Sequence, residues 1–304
     1  MAEGRSRNIT YTITHTVQDG IERIVYRPEV KRFETPILMQ HGMWHGAWCW
    51  QSWQELFAEW GWESIAFSLP GHGQSPVKRP IRWCTLGYYL QFLATEIERL
   101  QQRTFQRPIL MGHSMGGALT QWVLKYVGDP SLRPCSGQGS GQATGSGQAL
   151  PAAVLVAPWT SHNMLGPVFR FSRLDPIGFL LCILSLTTTP NIRSPQRAAR
   201  MFITEGAILT PEELHARLGP ESLWVLLQYN PLLWSPVKRT DTPMLWLAGG
   251  SDVLISELEE RRSAAHYGAD YVVVDGAGHN LMMEHSYRQT AETIRDWLIQ
   301  QGIE

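Results

Sequence analysis

Three polar residues far apart in the chain have the types needed for nucleophilic catalysis: Ser114, Asp252 and His279. Ser114 lies in Gly112-His113-Ser114-Met115-Gly116, a match to G-x-S-x-G. Apolar Ile109-Leu110-Met111 runs into it, and the small residues Gly116-Gly117-Ala118 run out. The pattern predicts a strand, a strained turn and a helix, with the serine hydroxyl at the apex. Glycines on either side let strand and helix approach closely, and a helix N-terminus favours developing negative charge.

A serine hydroxyl is a weak nucleophile without a base, and the base needs an orienting acid. In a strand–turn–helix elbow the acid and then the histidine follow the serine along the chain. Asp252 follows the apolar run Met244–Ala248 through Gly249-Gly250-Ser251, and His279 follows Tyr271–Val274 in Asp275-Gly276-Ala277-Gly278-His279-Asn280. Each is predicted at a strand's C-terminal end. Asp275 sits too near the end of its own strand to reach His279, Asp175 falls in a different region, and Ala157–Met164 carries no carboxylate. His215, His266 and His285 fall in predicted helices, and His113 should diverge from Ser114 at the elbow.

Acyl transfer also needs backbone N–H donors for an oxyanion. Met115, directly after the serine, supplies one. The other is expected from Gln40-His41-Gly42-Met43-Trp44-His45-Gly46, where Gly42 permits a tight turn and Met43 carries the N–H. Trp44, His45 and Trp159 are candidate substrate contacts, with His45 equally suited to organising the loop. No phosphate loop ending in Lys-Ser/Thr, no G-x-G-x-x-G after the first strand and no HExxH is present, so no metal or organic cofactor is expected.

These residues need a scaffold of strand ends. Ile9–Val17 and Ile21–Arg27 read as strands joined by a hairpin at Asp19-Gly20. Further strands are predicted at Ile37–Gln40, Glu63–Leu69, Pro108–Met111, Ala152–Ala157, Pro243–Ala248 and Tyr271–Val274. Helices are predicted over Ala47–Glu59, Leu86–Gln102, Met115–Val127, Ser256–His266 and His285–Gln300. Alternation of this kind implies an α/β fold, a mostly parallel sheet covered on both faces by helices.

Two stretches break the rhythm. Residues 131–149 are rich in Gly, Ser and Gln without apolar periodicity, and read as a flexible surface loop. Residues 159–235 read as an inserted helical lid, with Met164, Leu165, Phe169, Phe171, Phe179, Leu180, Phe202, Trp224, Leu227 and Tyr229 as outward-looking apolar groups. Thr210-Pro211-Glu212-Glu213 is a helix start with a Thr cap. The core would then comprise residues 1–158 and 236–304.

The 304 residues carry 26 basic and 27 acidic side chains, a formal charge of −1. That balance excludes a general nucleic-acid binder and gives no electrostatic reason to expect a membrane partner. The apolar lid could instead pair with a second copy of the chain. Cys49, Cys84, Cys135 and Cys182 show no CxxC or zinc spacing, which with a polar N-terminus points to reduced thiols and a cytoplasmic location. Of 13 Trp, six cluster between Trp44 and Trp62, which core packing explains first and an apolar ligand second.

Gly112–Gly116, His41-Gly42-Met43, Pro70-Gly71-His72-Gly73, Asp252 and His279 together resemble the α/β-hydrolase superfamily, from about Ile9 to Gln300. His41–Trp50 resembles the oxyanion loop of its plant-type methylesterase and hydroxynitrile lyase branch. Leu69–Ser75 looks like microbial esterases and C–C bond hydrolases instead. The resemblance implies an α/β-hydrolase fold with nucleophile Ser114, acid Asp252, base His279 and oxyanion donors Met43 and Met115. It implies a serine hydrolase of carboxylesterase or lactonase type acting on a mostly apolar small molecule. A C–C hydrolase of a diketone-like substrate, a cofactor-free lyase and a non-catalytic small-molecule binder are the alternatives.

Overall fold

A computed structural model of the protein describes residues 11–128, 149–237 and 240–303. Strands β1 (Tyr11–Gln18) and β2 (Ile21–Pro28) pair antiparallel across Asp19-Gly20. Both turn residues hold positive φ, 56° and 67°, as a two-residue type I′ turn requires. The chain continues through β3 (Ile37–Gln40), β4 (Ser64–Ser68), β5 (Ile109–His113), β6 (Ala153–Val156), β7 (Met244–Gly249) and β8 (Asp270–Val274).

These strands form one sheet in the order β1-β2-β4-β3-β5-β6-β7-β8. Every pairing from β4 to β8 is parallel, and β2 meets β4 antiparallel. The central strands are buried at all positions, which explains their unbroken apolar runs. Helices α1 (Gln51–Trp60), α2 (Leu86–Thr104) and α3 (Met115–Gly128) follow β3, β4 and β5. The expected helix from Ala47 begins as a 3-10 turn over Ala47–Trp50, because Gly46 offers no side-chain cap. Trp50, Trp53 and Trp62 are fully buried, so half of this tryptophan cluster is core packing.

Between β6 and β7 come five α-helices among the described residues: α4 (Leu165–Leu174), α5 (Pro176–Ser185), α6 (Pro195–Phe202), α7 (Pro211–Arg217) and α8 (Trp224–Gln228). The start of α7 is the expected capping box of Thr210 and Glu213. Helices α9 (Glu257–Tyr267) and α10 (Tyr287–Gln300) flank β8. Among the described residues no helix is long and apolar enough to cross a membrane.

One expectation about the inserted segment is corrected. Leu165, Phe169, Leu180, Trp224 and Leu227 do face outward, but Met164, Phe202 and Tyr229 are buried. Phe202 turns in against the aromatic rings of Trp44 and His45. Tyr229 turns in because its hydroxyl donates to Gln121 and to the Thr160 carbonyl. Of the expected flexible loop, residues 131–148 lie outside the described residues, as does Cys135. Cys49, Cys84 and Cys182 are free, buried thiols.

Candidate active site

The elbow forms as the sequence requires. Ser114 follows β5 directly and holds φ at +51°, a left-handed conformation that side chains with a Cβ rarely adopt. It is held there from three sides. Its N–H donates to the Val156 carbonyl at 3.0 Å, and its own carbonyl accepts from Ala118 and Trp159, both at 3.2 Å. A Cβ on Gly116 would land on the backbone oxygens of Gln40 and His41. Glycine there is what lets α3 start hard against the end of β3.

Asp252 and His279 meet from adjacent strand ends. The Asp252 Oδ1 accepts the N–H groups of Leu254 and Ile255 at 2.7 and 3.2 Å. Its Oδ2 lies 2.6 Å from His279 Nδ1, with both side chains 1% exposed. The carboxylate accepts, so Nδ1 carries the proton and Nε2 is left as the basic nitrogen. Asp275 is exposed. His113 ties this loop to the elbow, since its Nε2 donates to the His279 carbonyl at 3.2 Å and the two rings lie 5.0 Å apart. The three predicted residues are thus carried to the C-terminal ends of β5, β7 and β8. Ser114 Oγ itself has no hydrogen-bond partner among the described residues.

The β3 loop closes over the serine. A Cβ on Gly42 would lie 2.9 Å from Ser114 Cβ and 2.8 Å from His113 Nδ1, so only glycine permits this approach. Met43 and Met115 follow on the two sides of that contact, and neither N–H has a partner among the described residues. Two histidines shape the loop. His41 donates from Nδ1 to the Gly42 carbonyl at 2.7 Å and accepts the Leu69 N–H on Nε2 at 3.0 Å. His45 donates from Nδ1 to the Met43 carbonyl at 2.6 Å and accepts from the Asn280 side-chain amide at 3.0 Å.

Both nitrogens of His45 are therefore committed to protein groups, which fits the loop-organising role rather than substrate contact. Asn280 was not singled out by sequence; its only signal is its place beside His279. Burial pushes the His45 imidazole down to about 4, opposed by its bond to the Met43 carbonyl and assisted by His279. Burial likewise drives His41 and His113 well below the ordinary histidine value. The loops around Ser114 are held by neutral imidazoles.

The inserted segment covers this centre. Phe202 at the end of α6 lies 5.6 Å from the Trp44 ring, 5.1 Å from His45 and 6.2 Å from His279, centroid to centroid. Ser114 is 6% exposed. Trp44, at the loop tip with φ +62°, is buried beneath Phe202, and Trp159 packs edge-on against Tyr229. A buried polar cluster joins cover to core: Glu221, just before α8, lies 3.1 Å from His72 Nε2 and accepts the Tyr89 hydroxyl at 2.9 Å. His72 belongs to the glycine-rich turn after β4, but no motif marks its partner.

The family model described as the alpha/beta hydrolase family matches residues 37–293. No curated protein matches the chain by sequence. Among solved structures the chain is similar to a monoacylglycerol lipase of Paleococcus ferrophilus, with TM-score 0.60 and 19% identity over 92% of this chain and 99% of that one. A thermophilic esterase from Thermogutta terrifontis gives 0.62 and 17%, covering 95% and 99%. A soluble variant of monoglyceride lipase from Saccharomyces cerevisiae gives 0.66 and 13%, covering 98% of each chain. At these identities the likeness to solved structures is one of fold.

Proposed function

The chain belongs to the alpha/beta hydrolase family, and from that premise we propose that it cleaves a carboxylic ester or lactone of a mostly apolar small molecule through an acyl-enzyme on Ser114. The observation that carries the reading is the 2.6 Å contact between buried Asp252 and His279 Nδ1, beside a serine held at positive φ. Ser114 Oγ attacks the ester carbonyl carbon while His279 Nε2 takes its proton, and Asp252 stabilises the imidazolium. The oxyanion is received by the N–H groups of Met43 and Met115, each donor being worth about a hundredfold or more in rate. Collapse expels the alcohol, protonated by His279. Water, deprotonated by the same nitrogen, then releases the acid and restores the serine. The resemblance of His41–Trp50 to the plant-type oxyanion loop supports the role given to Met43.

Residues 159–235 act in this reading as a lid. Ser114 is too little exposed to meet a substrate until Phe202 moves, and the space so opened would be walled by Trp44 and Trp159. Lactone and linear ester need the same attack and differ only in the shape of that space. Intact-mass spectrometry during turnover of aliphatic and aromatic esters and lactones tests the mechanism. An increment equal to the acyl group, absent in Ser114→Ala, is expected. Turnover that survives in Ser114→Ala overturns it.

A further inference from the structure

Helix α5 reads Ile-Gly-Phe-Leu-Leu-Cys-Ile-Leu-Ser after its leading proline, with no charged residue. A helix apolar on all sides is ordinarily buried in a protein core. Here only Gly178 and Cys182 are buried. Ile177, Leu180, Leu181 and Leu184, at helical spacing i, i+3, i+4 and i+7, make one outward stripe, with Ile177 69% and Leu184 72% exposed. Leu174, at the end of α4, continues it. Contiguous apolar surface of this kind marks a contact with something else.

The charges around the stripe are one-sided. From Leu165 to Phe202 there are five arginines and a single carboxylate, Asp175, and of the five Arg170 is paired with Glu259 of α9. Asp175 caps α5 by accepting the Gly178 N–H at 3.0 Å and is already held by two guanidinium groups, Arg193 at 2.5 Å and Arg197 at 2.8 Å. Arg173, one turn away, lies over the Phe169 ring at 4.3 Å. A cluster of guanidinium groups in excess over carboxylate therefore stands at the end of α5 where the stripe begins.

We infer that the outward face of α4 and α5 docks on an anionic lipid surface, with the α5 stripe entering the acyl boundary and Arg173, Arg193 and Arg197 meeting headgroup phosphates. Apolar face plus basic flank is the chemistry by which in-plane helices bind such surfaces. A second copy fits less well. In a two-fold contact the partner presents the same face, and Asp175, the carboxylate where the stripe begins, is already held by two arginines. A soluble protein partner would also find no hydrogen-bonding side chain between Ile177 and Leu184, where protein interfaces ordinarily place several. The overall charge of −1, which gave no reason to expect a membrane partner, averages this local excess away.

The test is co-flotation of the whole protein with phosphatidylcholine vesicles made with and without phosphatidylglycerol, at low and high salt and without substrate. Binding is expected to the anionic vesicles and to fall with salt. Arg173→Glu should weaken it about fivefold or more, and Ile177→Glu with Leu184→Glu should abolish it, at unchanged circular dichroism and melting temperature. Ser114→Ala should bind like the parent, which separates this inference from the hydrolase reading. No flotation with anionic vesicles, or flotation indifferent to the stripe variants, overturns it. So does sedimentation of the lipid-free protein as a dimer that Leu184→Glu turns into a monomer, which would give the face to a second copy.

Discussion

The end of the sheet that carries Ser114, Asp252 and His279 and the helical segment beside it are built on opposite plans. Around Ser114 the apolar groups point inward, strand ends lead into short glycine-containing loops, and His41, His45 and His113, driven toward the neutral form by burial, each bond a backbone carbonyl. In the cover, helices of 5 to 10 residues turn much of their apolar surface outward. Polar contacts fasten them to the core, among them Glu221 to His72 and Tyr89, Arg170 to Glu259, and Tyr229 to Gln121, beside buried apolar groups such as Phe202, Leu214 and Val225. Ser114, Asp252 and His279 stand on strand ends, whereas the cover stands on helices of its own. A change in one region should therefore leave the other in place.

Substitutions that each touch one plan test this separation. Asp252→Asn removes charge but little volume, and kcat should fall about 10⁴-fold with little change in the denaturant midpoint. Glu221→Ala leaves buried His72 and Tyr89 without their shared partner. Leaving a buried polar group unsatisfied costs about 1–3 kcal/mol of stability, read as a lower urea midpoint. Activity per folded molecule should change chiefly through KM, because the reacting groups stay in place. A loss of kcat from Glu221→Ala as large as that from Asp252→Asn would show that cover and site are not separable.

The contrast also explains what could be read in the sequence. The position of Ser114, Asp252 and His279 after strand ends was legible because each follows an apolar run and is flanked by small residues, which leaves few ways to place them. The strands were legible for the same reason, their burial being written as unbroken apolar runs. Glu221 was not legible: it follows Gly219-Pro220, carries no periodic signal, and finds His72 149 positions away. Phe202 and Tyr229 were misplaced because a short amphipathic helix has two apolar edges, and only the packing of Trp44 and Gln121 decides which turns inward. On α5 the outward position of Leu180 was legible, whereas Ile177, Leu181 and Leu184 carried no such signal, and only tertiary structure shows that they form one stripe with it.

Acid should loosen the histidine-built loops around Ser114. His45 titrates near 6.5 when unfolded but is pushed down to about 4 when folded, and His41 and His113 are shifted the same way. Between those values the unfolded chain binds protons that the native state does not, so stability falls as pH drops from about 6.5 toward 4. For His45 alone the full loss is about 3 kcal/mol. Urea midpoints at pH 7.5 and 5 should show the decline, and His45→Gln should make it shallower. A midpoint indifferent to pH over this range would mean that these imidazoles are protonated in place, and the neutral scaffold around Ser114 would have to be abandoned.

The smallest expected effect separates the two plans most cleanly. Leu155, at the fully buried centre of β6, and Leu184, on the outward stripe of α5, differ in what surrounds them and not in chemistry. Leu155→Ala leaves a cavity in a close-packed core and should cost about 2–5 kcal/mol. Leu184→Ala removes atoms that already face water, so its cost should stay within about 0.5 kcal/mol. A core-sized loss at Leu184 would mean that the stripe is covered within the isolated chain and is not free to dock. A near-zero loss at Leu184, beside weaker vesicle binding by the same variant, would show that its exposed carbon contributes to association and not to folding.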